Sequence, residues 1–445
     1  MLFKSPAQAA SNVATLNADQ GPESFTGLKV RIHQRLLDIL NLGLLDKTPR
    51  EALRIEIRGA VSQLLAEERR LLTLPQTDQL IDDVLDELLG LGPLEPLLKD
   101  DTVDDILINT HTTVYVERRG RLELTGVKFQ DSRHLIRIIN KIVAAVGRRV
   151  DESQPMVDAR LADGSRVNAI IPPLAVDGPL VSIRKFARDP IHFDKLVEFG
   201  SISEDMAQIL KAVVQARRNV LISGGTGSGK TTLLNAMSAF IDHGERIVTI
   251  EDSAELRLQQ PHVGRLETRP ANIEDRGEVT QRELVKNALR MRPDRIIVGE
   301  ARSGEAFDML QAMNTGHDGS MTTVHANTPR DALSRLEQMI GMAGLEISPR
   351  SIRSQIASAI QVIVQVERME DGRRRVVSIS EIVGMEEDVI SMQEVFRFRR
   401  RGRAADSVVE GDFEATGIRP RFLEACAVRG VHVPAAVFAP VRRQA

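Results

Sequence analysis

The chain has no tryptophan, one tyrosine (Tyr115) and one cysteine (Cys426) in 445 residues, and aromatic side chains make up only 3% of it. A single thiol excludes an intramolecular disulfide and any zinc site built from several cysteines. So few rings offer no platform on which the bases of a single-stranded nucleic acid could stack. The formal net charge of -3 leaves no basic excess to hold a polyanion. No apolar run approaches the roughly 20 residues that a membrane-spanning helix needs, and the amino terminus lacks the pattern of a secretory leader. The chain therefore reads as cytoplasmic, meeting a membrane only peripherally through partners, with no nucleic-acid partner expected.

What is present is the composition of a folded protein, 42% hydrophobic and 27% charged. The length exceeds what one hydrophobic core serves, so two or three domains are expected. Residues 1–27 are small, polar and unpatterned, as in a disordered leader. Across 28–92 apolar residues recur at helical spacing (Leu36, Leu40, then Leu53, Ile57, Val61, Leu64), Thr48-Pro49 has the form of a helix start, and 78–89 reads as a further helix ending at Gly90. This segment is expected to serve packing or oligomerisation. Residues 93–190 mix strands at 113–116, 122–127, 159–162, 166–171 and 181–184 with a helix at 134–146, and Asp163-Gly164 is a hairpin turn. An α+β domain is the expectation there. Asp189-Pro190 and Gly200-Ser201 mark a linker. Over 191–445 short apolar strands at 219–223, 246–250, 295–298 and 321–324 alternate with helices, which predicts an α/β domain whose parallel sheet is covered by helices. Strands at 362–367 and 375–379 flank Asp371-Gly372 as a terminal hairpin. The basic stretch 397–403 reads as solvated, or as a site for an acidic partner or lipid surface.

The segment Gly224-Gly225-Thr226-Gly227-Ser228-Gly229-Lys230-Thr231 fits G-x-x-x-x-G-K-[ST]. Glycines let backbone N–H groups curl around phosphate oxygens where a Cβ would obstruct them. Lys230 is placed to reach the β- and γ-phosphates and the Thr231 hydroxyl to ligate Mg²⁺, with Thr232 completing the nucleotide-binding set. A strand before the loop and a helix over 231–241 after it argue against a mere structural turn, because the helix aims its positive end at the nucleotide. The strand 246–250 then delivers Glu251 and Asp252 at its carboxyl end, where ligands sit in parallel α/β sheets. A carboxylate there can hold a metal-bound water or orient the attacking one, or it can be a solvated acidic loop. The strand 295–298 is followed by Gly299-Glu300, a Walker-B-like site in which glycine replaces the usual metal-binding aspartate. Glu300 is therefore the first choice for polarising the attacking water and Glu251 the second, with Thr231, Glu251 and Glu300 as the candidate metal set. His325 follows the strand 321–324 and could sense the γ-phosphate. His317 suits a structural role as well as a functional one.

The order of these boxes (the phosphate loop, TIED at 249–252, RIIVGE at 295–300 and TGHDGSMTTVHAN at 315–327) resembles the type II/type IV secretion ATPases, hexameric RecA-like motors for pilus assembly and export. The stretches 90–125 and 379–396 are most similar to the CpaF branch, the Tad (Flp) pilus ATPases, and the likeness runs over 28–440. The resemblance implies a RecA-like P-loop ATPase core preceded by an α+β domain and an amino-terminal helical segment. It also implies ATP and Mg²⁺ as cofactors, a homo-hexamer, and docking on inner-membrane platform proteins. In the family, arginines of the smaller domain bring positive charge to the phosphates; Arg160, Arg166 and Arg184 occupy that segment here, and Arg302 follows Glu300. Each of them taken singly is equally a surface charge. Type II export ATPases carry a four-cysteine zinc module that one cysteine cannot build, and the helical amino-terminal segment is the one expected of the CpaF branch. The expected function is ATP-driven assembly of a Tad-type pilus, with or without retraction. A traffic ATPase exporting protein or DNA is the alternative, and a non-hydrolysing scaffold is disfavoured by Glu300 and Glu251.

Overall fold

The computed structural model describes residues 28–440 except 30, 33–34, 37–38, 40–49, 69, 119, 187–190, 270, 272–275 and 404–407. The expected leader, the helix start at Thr48-Pro49 and the pair Asp189-Pro190 lie outside the described residues. The chain divides into two compact units, Met1–Ala187 and Arg188–Ala445.

In the first unit the helices Arg50–Glu67 and Leu74–Leu89 pack with the described helical residues of 28–39. Leu53, Ile57 and Val61 on one, and Leu80, Ile81 and Val84 on the other, recur every three or four residues and are fully buried. Arg54 closes the flank through two hydrogen bonds to Asp82, at 3.0 and 3.1 Å. The second helix begins ahead of the expected Asp78 because Thr73 and Gln76 cap each other's backbone and a proline sits in the first turn.

Six antiparallel strands follow, β1 (Asp105–Thr110), β2 (Thr113–Arg118), β3 (Arg121–Leu124), β4 (Met156–Arg160), β5 (Arg166–Ile170) and β6 (Leu180–Arg184), in the order β3-β2-β1-β6-β5-β4. The helix Ser132–Ala145 covers one face, laying Leu135, Ile138 and Ile139 against Ile106, Val114 and Ile183. Strand alternation then assigns Arg160, Arg166 and Arg184 to the opposite face.

The second unit is a nine-stranded sheet: β7 (Val220–Gly224), β8 (Ile247–Glu251), β9 (Val263–Glu267), β10 (Arg295–Val298), β11 (Met321–Val324), β12 (Val362–Arg368), β13 (Arg374–Glu386), β14 (Val389–Arg403) and β15 (Val409–Ala415). Their order is β15-β14-β13-β12-β7-β11-β10-β8-β9. From β12 to β9 all neighbours are parallel, and β12 through β15 are antiparallel. The helices Glu204–Gln215, Lys230–Ser238 and Phe422–Val428 pack on one face of the sheet. Gln281–Ala288, Glu305–Asn314, Pro329–Gly341 and Pro349–Ala359 pack on the other. With both faces covered, β7 and β8 are buried at every position, which is why they read as mainly apolar runs without alternation. This is the RecA-like α/β core, with the loop strand β7 one strand removed from β10.

The expected terminal hairpin is present as β12 and β13, and it belongs to the main sheet: β12 pairs in parallel with β7, and β13 to β15 widen that sheet. The basic stretch 397–403 belongs to strand β14 and is largely exposed, as the solvated reading expects, with three of its arginines in surface ion pairs: Arg397 with Glu414 at 3.4 Å, Arg400 with Glu367 and Glu370, and Arg401 with Asp412. Among the described residues no helix is long and apolar enough to cross a membrane.

The starts of the central strands are pinned by two buried polar side chains. Asn219 Oδ1 accepts from the Gly319 and Ser320 amides at 2.8 and 2.9 Å, and its Nδ2 donates to the Ala359 carbonyl at 2.7 Å. Arg295, 1% exposed, donates to Glu245 at 2.6 and 2.8 Å and to the Val214 and Gly319 carbonyls. Truncating Asn219 strands the Gly319 and Ser320 amides in the interior and leaves the Ala359 carbonyl only Gln361 Nε2 as a side-chain donor, at 3.2 Å. Asn219→Ala is therefore expected to cost about 2–4 kcal/mol of unfolding free energy. Chemical denaturation would show this as a lowered midpoint with an unchanged slope.

Candidate functional site

Because β7, β11, β10 and β8 are adjacent and parallel, their carboxyl ends share one edge of the sheet. Strands lie about 4.8 Å apart, so the residues leaving those ends are neighbours although they are scattered in sequence. Reading across the edge gives the phosphate loop after β7, His325 after β11, Gly299 and Glu300 after β10, and Glu251 ending β8. The sequence boxes thus converge on one site, in a spatial order that differs from their order in the chain.

The loop after β7 is held by its own residues. Gly227 and Gly229 take φ of +67° and +98°, a region that side chains rarely tolerate. Ser228, 1% exposed, donates its hydroxyl to the Gly225 carbonyl at 2.9 Å. Lys230 opens the following helix, and its Nζ donates to the Gly224 and Gly225 carbonyls, each at 3.0 Å. The ammonium is thereby kept inside the loop's mouth. Thr231 and Thr232 occupy the next two helical positions, at the positive end of the helix.

The glycine that departs from the usual Walker B pattern has a steric explanation. Gly299 lies next to Glu251 across the β8–β10 ladder, and a Cβ on it would fall 2.9 Å from Glu251 Cγ. The absence of a side chain at 299 is what lets the Glu251 side chain enter. Glu251 is 3% exposed, and its Oε1 accepts from the Glu255 and Leu256 amides, both at 2.8 Å. Its Oε2 is buried with no hydrogen-bond partner. Burial pushes this carboxyl above its usual range, against the opposing pull of the two amides. A buried carboxylate oxygen left without a donor fits a site for a hydrated cation. Among the described residues no cluster of three or more His, Cys, Asp or Glu forms a metal cage. Mg²⁺ is held by one or two carboxylates together with phosphates and water, and Glu251 offers one such carboxylate.

Glu300 is half-buried and engaged on both sides. Its Oε2 accepts from Arg302 Nε and Nη2 at 3.1 and 2.8 Å, and its Oε1 lies 3.7 Å from His325 Nε2. Arg302 also donates to Asp252 at 3.0 Å, so one guanidinium bridges the ends of β8 and β10. The turn that sets this geometry is fixed by Glu305, whose carboxylate accepts from the Arg302 and Ser303 amides at 2.5 and 2.7 Å. Desolvation, then the nearby Lys230, push the His325 imidazole below its usual range, which favours the neutral ring. His317 has a structural contact: its Nδ1 lies 3.1 Å from the Ala312 carbonyl near the end of the helix Glu305–Asn314 and donates to it.

Arg160, Arg166 and Arg184 belong to the first unit. Their registers, Arg160 opposite Arg166 and Arg166 opposite Arg184, put them in one row across β4, β5 and β6. The sequence reading missed two further arginines, Arg368 and Arg374, which the β12–β13 hairpin carries beside Gly227 and Gly229. The run of arginines after Asp371-Gly372 was the available signal, but nothing in it showed that β12 lies next to β7.

The sequence pattern of the family described as type II/IV secretion system protein matches residues 87–405. A putative conjugal transfer protein of Mycobacterium tuberculosis is 41% identical over 300 residues, which cover 66% of this chain and 85% of that protein. The conjugal transfer protein TrbB of Rhizobium radiobacter is 36% identical over 281 residues, 62% of this chain and 83% of that protein. Among solved structures, the VirB11 ATPase of Brucella suis, determined with sulphate, is similar at 28% identity over 65% of this chain and 92% of that chain, with a TM-score of 0.36.

Two outcomes are expected from this geometry. The raised Glu251 carboxyl makes the ligand-free fold lose stability as pH climbs from its ordinary 4.5 through the raised value, because the unfolded chain releases that proton first. Glu251→Gln removes the slope, so its melting temperature gains on the parent's over that interval and then runs level with a constant offset. Thermal melts across about pH 4.5–8 would contradict this if the difference stayed flat throughout. Second, Gly299→Asp, which restores the usual Walker B residue, is expected to displace Glu251 and lower stability by about 1–3 kcal/mol. Circular dichroism and phosphate release on the same sample check both effects.

Proposed function

This chain belongs to the type II/IV secretion system protein family, and we propose that it works there as a ring-forming motor that hydrolyses Mg-ATP to assemble a Tad-type pilus at a membrane platform. Its enzymatic class is ATPase. One observation carries the reading: Lys230, His325, Glu300 and Glu251 leave the carboxyl ends of four neighbouring parallel strands beside a phosphate loop.

Each group then has a task set by its surroundings. The loop amides and Lys230 bind the phosphates, with Lys230 exchanging two carbonyl partners for phosphate oxygens. Thr231 and Glu251 are the residues that would hold Mg²⁺, whose charge offsets that of the β- and γ-phosphates when bound. Glu300 accepts the proton of the attacking water, and for that its carboxylate must leave the Arg302 guanidinium. The neutral His325, beside both Lys230 and Glu300, is suited to hydrogen-bond a phosphate oxygen without repelling Glu300's incoming proton. Arg160, Arg166 and Arg184 are assigned to phosphate charge in an assembled ring of six, where turnover would depend on a neighbouring subunit.

The Tad assignment is supported by the helical segment ahead of residue 87, which lies outside the matched family pattern. A second reading, a traffic ATPase exporting protein or DNA, is favoured by the names of the relatives, which are conjugal transfer proteins. Lys230→Ala and Glu300→Gln are each expected to lower phosphate release by roughly 10²–10⁴-fold, and Lys230→Ala also to weaken ATP binding. Parental turnover in Lys230→Ala would sink the motor. A deletion strain complemented with either variant separates the two readings: loss of surface pili supports the first, and loss of conjugal DNA transfer with pili intact supports the second. Light scattering with Mg-ATP tests the ring, against which a persistent monomer would count.

A further inference from the structure

β12 runs alongside β7 until Val366 stands opposite Gly224. The approach is close, since a Cβ on Gly224 would fall 2.4 Å from the Val366 carbonyl oxygen. Two residues later the hairpin overhangs the phosphate loop. Arg368 and Arg374 face each other across the last rung of the β12–β13 ladder. Arg374 Nε donates to the Gly227 carbonyl at 2.9 Å. A Cβ on Gly227 would lie 3.4 Å from Arg368 Nη1, and one on Gly229 would lie 3.4 Å from Arg374 Cδ. Two guanidinium groups and the Lys230 ammonium therefore crowd one eight-residue loop.

Three positive groups at one loop favour an anion there, and guanidinium is the cation best matched to phosphate. The Gly227 carbonyl is also the handle on the peptide plane that precedes the Ser228 amide. A donor fixed to that carbonyl holds the plane of the Ser228 N–H, which faces the Gly225 carbonyl across the loop at 3.4 Å and would exchange it for a phosphate oxygen.

We propose that Arg374 is a positioning residue for the nucleotide, acting within the same subunit: it sets the Gly227 peptide, and with Arg368 it raises the loop's affinity for the phosphates common to ATP and ADP. The proposal rests on the ATP-hydrolysing reading given above. It differs from the role assigned to Arg160, Arg166 and Arg184, which needs a ring, because this one operates in a single chain.

The test uses the full chain, with titrations of fluorescent ATP and ADP analogues beside steady-state phosphate release. Arg374→Ala is expected to weaken both nucleotides roughly tenfold and to raise KM in proportion, with kcat changed less than about threefold. Arg374→Gln, which keeps the length of the stem, should show the same loss, and Arg374→Lys should recover part of it. Arg368→Ala should weaken both nucleotides by a smaller factor. Ligand-free melting curves should match the parent's, since Arg374 is exposed. Parental KM and nucleotide affinity in Arg374→Gln would overturn the proposal, as would a loss confined to ATP, which would mean a γ-phosphate contact instead. A parent chain that binds nucleotide but never turns it over would sink the ATPase reading while leaving this binding comparison standing.

Discussion

The site depends on four strands ending level with one another, and that alignment is set at their opposite ends. Asn219 ties the start of β7 to the start of β11 and to the turn entering β12 through three short hydrogen bonds. Arg295 does the same for β10, reaching the Glu245 carboxylate before β8 and the Gly319 carbonyl before β11. A slip of one residue in a parallel sheet would invert every side chain and move its carboxyl end by about 3.3 Å. Buried polar groups of this kind add little net stability, but they allow one register only, since any other leaves charges and amides unpaired in the core. The chemistry at the far edge inherits that single solution.

At that edge a carboxylate has been transferred from one strand to its neighbour. The usual Walker B aspartate is absent from β10, and the space that its side chain would take is filled by Glu251 from β8. Gly299 is thus one half of a complementary pair. Burial of Glu251 is unfavourable to its ionised form, and only a cation or a donor reaching Oε2 would compensate. Glu300 is treated in the opposite way, half-exposed and neutralised by Arg302. The two glutamates therefore have different environments, which suits one to metal and the other to proton transfer.

Much of this was legible in the sequence because it is local. The Gly-rich loop, the apolar runs of β7, β8, β10 and β11 and the acidic residues after them follow from composition and spacing along short windows. What was hidden is non-local. Nothing in 295–300 reveals that Gly299 makes room for a residue 48 positions earlier. The strand β14 was obscured because the arginines of 397–403 break the apolar alternation, and their acidic partners at Glu367, Asp412 and Glu414 lie on other strands. The arginines of the first unit were picked out by resemblance, and only the register of β4, β5 and β6 shows that they form a row. His317 could not be decided from its neighbours in sequence, since its partner is a helix-terminal carbonyl.

The ladder between β12 and β7 has a mechanical side. The antiparallel ribbon β12–β15 is braced at its phosphate-loop end by Asp371, which accepts from the Val409 amide at 2.9 Å, and by the pairing of Arg400 with Glu367 and Glu370. Its first strand, β12, is hydrogen-bonded to the strand that becomes the phosphate loop. A load applied to the ribbon therefore reaches Gly224 across a single row of hydrogen bonds, with no flexible joint between them. By the same linkage, a change in the shape of the loop would pass first to β12 and from there, ladder by ladder, to β15.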